Sequence, residues 1–413
     1  MEFRLTREQE MFKSALREYC NASVAPRSRE IDEKEAGIPE DILKGLADLG
    51  VFGCTIPEEY GGTGMPGEFM QYANIAIHEL GRAELSMSLP VYTLLTIGWG
   101  GFFLNYFANE DVKKECLPKI ASGEWSWGIA VTEPGGGSDV AAIKTTAIKK
   151  GDKYLVNGEK AYISMVSEVQ KRGGGHTSLF VSDPSKGTHD GMVLMAMIPN
   201  ALKGIGSTTY KDMGRMGLST GGFTFRDTEI PAKYLLGQHN KGFYACMEGF
   251  NPARALVSAA CLGAAERCLE IAADYAKQRT AFGRPISKYQ GINLELAEDY
   301  TKLDMVKLML QKASWMIDRF YAEPGSFTQK EINIAIAECK WTAPLLSLEI
   351  IKHAIMVLGG FGYTKESPLE MAMRGVMSYV AGAEGAANIM KIIICRDVFG
   401  GDFVLGPQHG GVV

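Results

Sequence analysis

The chain has no run dense in lysine or arginine, no Cys-x-x-Cys pair and only six histidines in 413 residues. Each absence excludes a class of function. With a net charge of −5 and no basic run, nucleic acid is not the expected partner. The eight cysteines are scattered without neighbouring histidines, which points away from a zinc site and from a disulfide framework. A reduced, cytoplasmic compartment is therefore expected. The apolar stretch 89–108 is interrupted by Gly98, Gly100, Gly101 and Asn105, so no membrane span is predicted. The N-terminal MEFRLTREQEMFKSALREY carries charges throughout and reads as an amphipathic helix, not a signal peptide.

What is present is patterned in three blocks. Thr6 and Gln9 predict a capping box opening a first helix, and helical spacing recurs from Pro39 to Gly50, over 68–81 and over 110–121. From Trp125 the texture changes to alternating strands with Gly-Asp and Asn-Gly turns. From Asn240 four long helical segments follow, over 240–276, 288–322, 327–358 and 384–398, with Pro252 expected to kink or split the first. The fold class is α+β: an N-terminal α-helical domain at 1–124, a middle β-barrel-like domain at 125–237 and a C-terminal four-helix bundle at 238–413.

Within the last block, the stretch from Met371 reads as a loop carrying one carboxylate, Glu384, among Ala381, Gly382, Ala383, Gly385, Ala386 and Ala387. A lone acid among small residues suits a base that approaches a substrate closely. The start of the following helix would favour its ionised form. A helix-capping glutamate is the alternative. Similarly, VTEPGGGSDV at 131–140 offers free backbone N–H groups with the hydroxyls of Thr132 and Ser138, or is a plain glycine-rich turn.

Eight separated motifs, in order along the chain, resemble those of the acyl-CoA dehydrogenase flavoproteins. They are PEEYGGTG at 57–64, VTEPGGGSD at 131–139, NGEKAYIS at 157–164, MGRMGLST at 213–220, IPAKYLLG at 230–237, RTAFGRPISKYQ at 279–290, LGGFGYTKESP at 358–368 and EGAANI at 384–389. The resemblance covers essentially the whole chain, with the glutaryl-CoA and benzylsuccinyl-CoA type dehydrogenases of anaerobic aromatic degradation as the nearest branch. It implies FAD, with Ile129, Val131, Thr132, Gly137, Ser138, Tyr162, Ser164, Ala386 and Asn388 about the flavin. Tyr162 stands where the family has tryptophan, and Ser164 where it has threonine. Arg279, Phe282, Gln290, Gly359 and Gly360 resemble residues that reach the FAD of a neighbouring subunit, which implies a homotetramer. Ser138, Arg254, Ala383 and Gly385 would contact the CoA ester; an ion-paired helix arginine is an equal reading of Arg254. Ala253 fills the position where some members carry the base, leaving Glu384 as its match.

The reaction so implied is α,β-dehydrogenation: Glu384 takes the α-proton, a hydride leaves the β-carbon, and an electron-transfer flavoprotein collects the electrons. This chain departs from the family in three places. Arg374 precedes Glu384 by one position more than expected, Ala383 replaces an aromatic, and Ala386 replaces a threonine. Small residues beside the base and the aromatic stretch 92–107 suggest a bulky, cyclic or aryl acyl group, with ordinary helix packing an equal reading of the aromatic stretch. Residues 83–112 contain no lysine or arginine to hold a distal carboxylate, which disfavours glutaryl-CoA. Glutaryl-CoA and short- or branched-chain dehydrogenases remain alternatives, as do an oxygen-reactive oxidase and a silent CoA-ester or FAD-binding scaffold.

Overall fold

Residues 4–34 and 37–404 are described by a computed structural model; 1–3, 35–36 and 405–413, parts of the expected terminal segments, lie outside the described residues. Thr6 Oγ1 accepts the Gln9 N–H and Gln9 Oε1 accepts the Thr6 N–H, both at 3.2 Å. The predicted capping box therefore opens α1 (Arg7–Tyr19). Then come α2 (Ser28–Lys34), α3 (Glu40–Asp48) and α4 (Phe69–Ala83).

The glycine-broken stretch is a continuous helical rod: α5 (Ser88–Leu95), a π-helical segment Thr96–Phe102, and α6 (Phe103–Phe107). Its glycines are close-packing positions. A Cβ at Gly100 would stand 2.6 Å from Trp127 Cβ, and one at Gly101 2.3 Å from Thr55 Oγ1. The rod leads into α7 (Glu110–Ala121).

The middle section builds one eight-stranded sheet from β1 (Ser126–Ala130), β2 (Thr146–Lys150), β3 (Lys153–Ser164), β4 (Gly174–Val181), β5 (Met192–Met197), β6 (Ile205–Tyr210), β7 (Thr220–Pro231) and β8 (Leu235–Leu236). Its order is β6-β7-β3-β2-β4-β5-β8, with β1 parallel to β4, and β6 and β8 at the ends of that path. The sequence pattern missed β5 and β6, and also α8 (Val166–Arg172) and the short α9 (Gly187–Asp190). Strand β5 is apolar and buried at every position, so it lacks the alternation of a half-exposed strand.

The C-terminal part begins with α10 (Gly242–Gln278), followed by the short β9 (Thr280–Ala281) and β10 (Arg284–Pro285). Then come α11 (Gln290–Ala322), α12 (Gln329–Leu358), α13 (Leu369–Ala381) and α14 (Ala387–Phe399). Two expectations are corrected here. Pro252 does not split α10, because that turn is buried on all sides and packing outweighs one lost backbone hydrogen bond. Residues 371–381 are helix rather than loop: Leu369, Ala372, Val376 and Tyr379 form a buried stripe, placing a fifth helix immediately before Glu384. By length and composition α12 passes as a membrane span where the sequence reading found none, yet it packs against α10, α11, α13 and α14. Helices α4 and α10 cross almost backbone to backbone. A Cβ at Gly81 would lie 2.3 Å from the Ala260 carbonyl, and one at Gly263 2.2 Å from that of His78.

Candidate active site

One cavity of about 920 Å³ lies where α5, the ends of β1 and β3, α10 and the α13–α14 loop meet. Its wall contains Ile129, Val131, Thr132, Gly137, Ser138, Tyr162, Ser164, Arg254, Ala383, Glu384, Gly385 and Ala386, twelve of the residues singled out from sequence. Tyr162 reaches it through a bulge. The β3–β7 register slips between Ala161 and Ile163, and Tyr162 takes a left-handed φ of 59° with its ring exposed. Ser164 is fixed from behind, where its carbonyl accepts from His176 Nε2 at 2.9 Å. The Gly-rich loop is braced too. Glu133 accepts from the backbone of Lys144 and Thr145, and from fully buried Lys160 at 2.8 Å. Lys160 also donates to the Val131 carbonyl. Burial alone would push the Glu133 carboxyl up, but Lys160 and these N–H donors outweigh it and hold the carboxyl below its ordinary range.

Arg279, Phe282, Gln290, Gly359, Gly360 and Asn388 are not in this wall. All six are exposed, Phe282 to 96%, on the β9–β10 hairpin, the start of α11, the end of α12 and the face of α14.

Glu384 sits in the loop between α13 and α14 with a left-handed φ of 56°, followed by Gly385 at 103°. Arg254 Nε donates to the Glu384 carbonyl at 3.0 Å, and Lys340 Nζ donates to the Gly385 carbonyl at 3.1 Å. The residue keeps some surface on the cavity, but its Oε2 is enclosed and has no hydrogen-bond partner. It is not a helix cap: the N-cap of α14 is Ala386, without a side-chain bond.

The expectation that the helix start would favour the ionised form is also corrected. Burial raises the Glu384 carboxyl to about 7. Arg254, the Trp99 indole and Lys340 pull it back only in part, with the indole N–H closing no full hydrogen bond. Desolvation of a whole charge exceeds the partial charge of a helix end three residues away. The reciprocal effect falls on Arg254, which burial lowers to about 10 against the opposing pull of Glu384.

Sequence reading missed several neighbours. Val91, Leu94 and Leu95 form an aliphatic wall, and Phe243, Met247 and Phe250 an apolar one. The aromatic side chains of 92–107 are not in the wall. They pack into the core, Trp99 against Phe103 and Phe250 at 5.2 Å each. One signal was available for Lys340: it is a lone charge in the stripe Ile332, Ile336, Ala343 and Ser347, spaced as the buried face of a helix. A carboxyl with a near-neutral pKa beside a cation, on a largely apolar cavity, can exchange a proton with a bound carbon acid.

Comparison with known proteins bears on the chain as a whole. Family models match over three consecutive ranges: "Acyl-CoA dehydrogenase, N-terminal domain" at 6–124, the middle domain at 128–228 and the C-terminal domain at 240–399. An acyl-CoA dehydrogenase of Bacillus subtilis is 32% identical over 96% of this chain and 99% of its own length. A 3-(aryl)acrylate reductase of Clostridium sporogenes is 31% identical over 95% and 99%. Among solved structures, a glutaryl-coenzyme A dehydrogenase–glutaryl-CoA complex superposes with a TM-score of 0.88 at 26% identity, covering 100% of both chains. A structure described as an electron transferring flavoprotein of Acidaminococcus fermentans gives 0.87 at 28%, covering 97% and 100%.

Proposed function

Because the chain belongs to the acyl-CoA dehydrogenase family, flavin-dependent oxidoreductases acting on CH–CH bonds, we propose that Glu384 is the base that removes the α-proton of an acyl-CoA. One observation carries the assignment. Glu384 Oε2 is a buried acceptor without a partner among the described residues, in the wall of the 920 Å³ cavity. An acceptor left unpaired by the protein on a cavity wall is available to a substrate C–H.

The residues present suit a flavin. Thr132, just past β1, and the bulged Tyr162 and Ser164 at the end of β3 line the same cavity as the apolar Val91, Leu94, Leu95, Phe243 and Met247. Thr132, Ser138, Tyr162 and Ser164 would hold the ring system, which when bound supplies the acceptor for the β-hydride. We take the cofactor to be FAD. Exposed Arg279, Phe282, Gln290, Gly359 and Gly360 would complete the site of a second copy in a homotetramer, and Asn388 would join Ala386 about the cofactor. Arg254 and Ser138 would bind the CoA ester, with Ala383 and Gly385 leaving room beside its α- and β-carbons.

The acyl group proposed is uncharged and bulky, cyclic or aryl, such as a benzylsuccinyl-type or cyclohexane-type ester. The aliphatic Val91, Leu94 and Leu95 and the small Ala381, Gly382 and Ala383 support this reading, as does the likeness to the aryl-acrylate enzyme. An electron-transfer flavoprotein is the proposed acceptor of the electrons, supported by the likeness to the Acidaminococcus structure. Anaerobic titration with straight, branched, cyclic and aryl acyl-CoAs tests the proposal: the aryl or cyclic esters should bleach the flavin fastest. Glu384→Gln should bind flavin and ester but leave the flavin oxidised; undiminished bleaching in that variant removes Glu384 from the role.

A further inference from the structure

Helix α13 ends immediately before the Glu384 loop, so its last carbonyls have no partner within the helix. One of them, Tyr379 O, is met by Lys340 Nζ from α12 at 3.0 Å. The same ammonium donates to Gly385 O at 3.1 Å, one residue beyond Glu384. Lys340 is 1% exposed. Removing an ammonium from water is costly unless the group is held in a well-satisfied site, and here the Tyr379 and Gly385 carbonyls that accept from it belong to the backbone around the base.

The loop needs such restraint. A left-handed backbone strains a non-glycine residue, and it persists only where surrounding contacts over-determine it. At Glu384 these contacts are two buried cations on consecutive carbonyls, Arg254 on Glu384 O and Lys340 on Gly385 O. Arg254 fixes the peptide plane that follows the base; Lys340 fixes the next one and ties it back to α13. We propose that Lys340 is a positioning residue for the base: it spans the Tyr379–Gly385 turn, holds Glu384 in its left-handed conformation, and so keeps the carboxylate on the cavity.

The electrostatics agree in direction. Lys340 is among the groups that lower the Glu384 carboxyl, and burial brings Lys340 itself down to about 8. The groups that share this field are Arg254, Cys246 and Cys261 on α10, Trp99 on the π-helical segment and Tyr379 on α13.

The inference rests on Glu384 being the base. Its test compares Lys340→Gln and Lys340→Arg holoenzymes, following flavin reduction by phenylpropanoyl-CoA and butyryl-CoA across pH. Lys340→Gln should keep its flavin and its KM while the reduction rate falls on the order of 10–10²-fold, the scale of a small misplacement of a reacting group. Its pH midpoint should also move upward, because a cation that favours the carboxylate is gone. Lys340→Arg should keep the midpoint and recover part of the rate. A wild-type rate and midpoint in Lys340→Gln overturns the inference; so does a parallel loss of flavin, KM and rate in both variants, which makes Lys340 a folding residue only. Glu384→Gln run alongside separates the two readings. Activity there removes the base itself, whereas an inert Glu384→Gln beside unaffected Lys340 variants removes only the role of Lys340.

Discussion

The base assignment has a consequence for pH that can be worked through. The Glu384 carboxyl is raised from its ordinary 4.5 to about 7, with burial as the largest cause. Proton abstraction needs the ionised form, so flavin reduction should rise with pH and reach half its limit near pH 7. At about pH 6 roughly a tenth of the sites would be competent, and at about pH 5 roughly a hundredth. The same shift acts on stability with the opposite sense. The folded state holds the proton more tightly than the unfolded chain, so Glu384 costs nothing below about 4.5 and its full penalty appears above about 7. A shift from 4.5 to about 7 corresponds to up to about 3 kcal/mol at 1.36 kcal/mol per pH unit. Glu384→Gln should therefore be inert yet more stable than the parent at about pH 8, with the advantage shrinking as pH falls toward 5. Stopped-flow reduction and urea unfolding of the flavin-free protein across that range measure the two halves. A reduction rate flat with pH, or a Glu384→Gln variant no more stable at high pH than at low, refutes the desolvation argument.

Further outcomes concern the groups around the site. Arg254→Gln should raise the midpoint of the reduction profile, since Arg254 is the largest influence lowering the Glu384 carboxyl, and should weaken the ester's KM. Lys160→Met leaves Glu133 buried without its cation; loss of one partner of a buried pair costs about 3–5 kcal/mol, read by urea unfolding, and flavin content should fall as the 131–139 loop loosens. Gly81→Ala would drive a Cβ to 2.3 Å from the Ala260 carbonyl, so α4 and α10 must separate at a cost of about 1–3 kcal/mol, measured as a lower unfolding midpoint without a change in the pH profile. Arg279→Ala should release flavin on gel filtration while leaving the fold intact by circular dichroism, because Arg279 is exposed and its backbone, bonded to Tyr275 and Ile286, is untouched by the change.

The sequence by itself determined the α+β class, the helix spans of α7, α11 and α12, the capping box at Thr6, and a set of motif residues that converge on one cavity. These were legible because helical spacing, caps and glycine turns are local properties. It did not determine which aromatics face the cavity, that residues 371–381 are helical, or that β5 is a strand. Each depends on which face another element covers, and a fully buried segment carries no alternation to reveal that. Nor could it settle the state of Glu384. Position in the chain places that acid before a helix, where the dipole favours charge. Only the tertiary structure places it among Trp99, Cys246 and α10, where the cost of desolvating a full charge exceeds what a helix end or two neighbouring cations return.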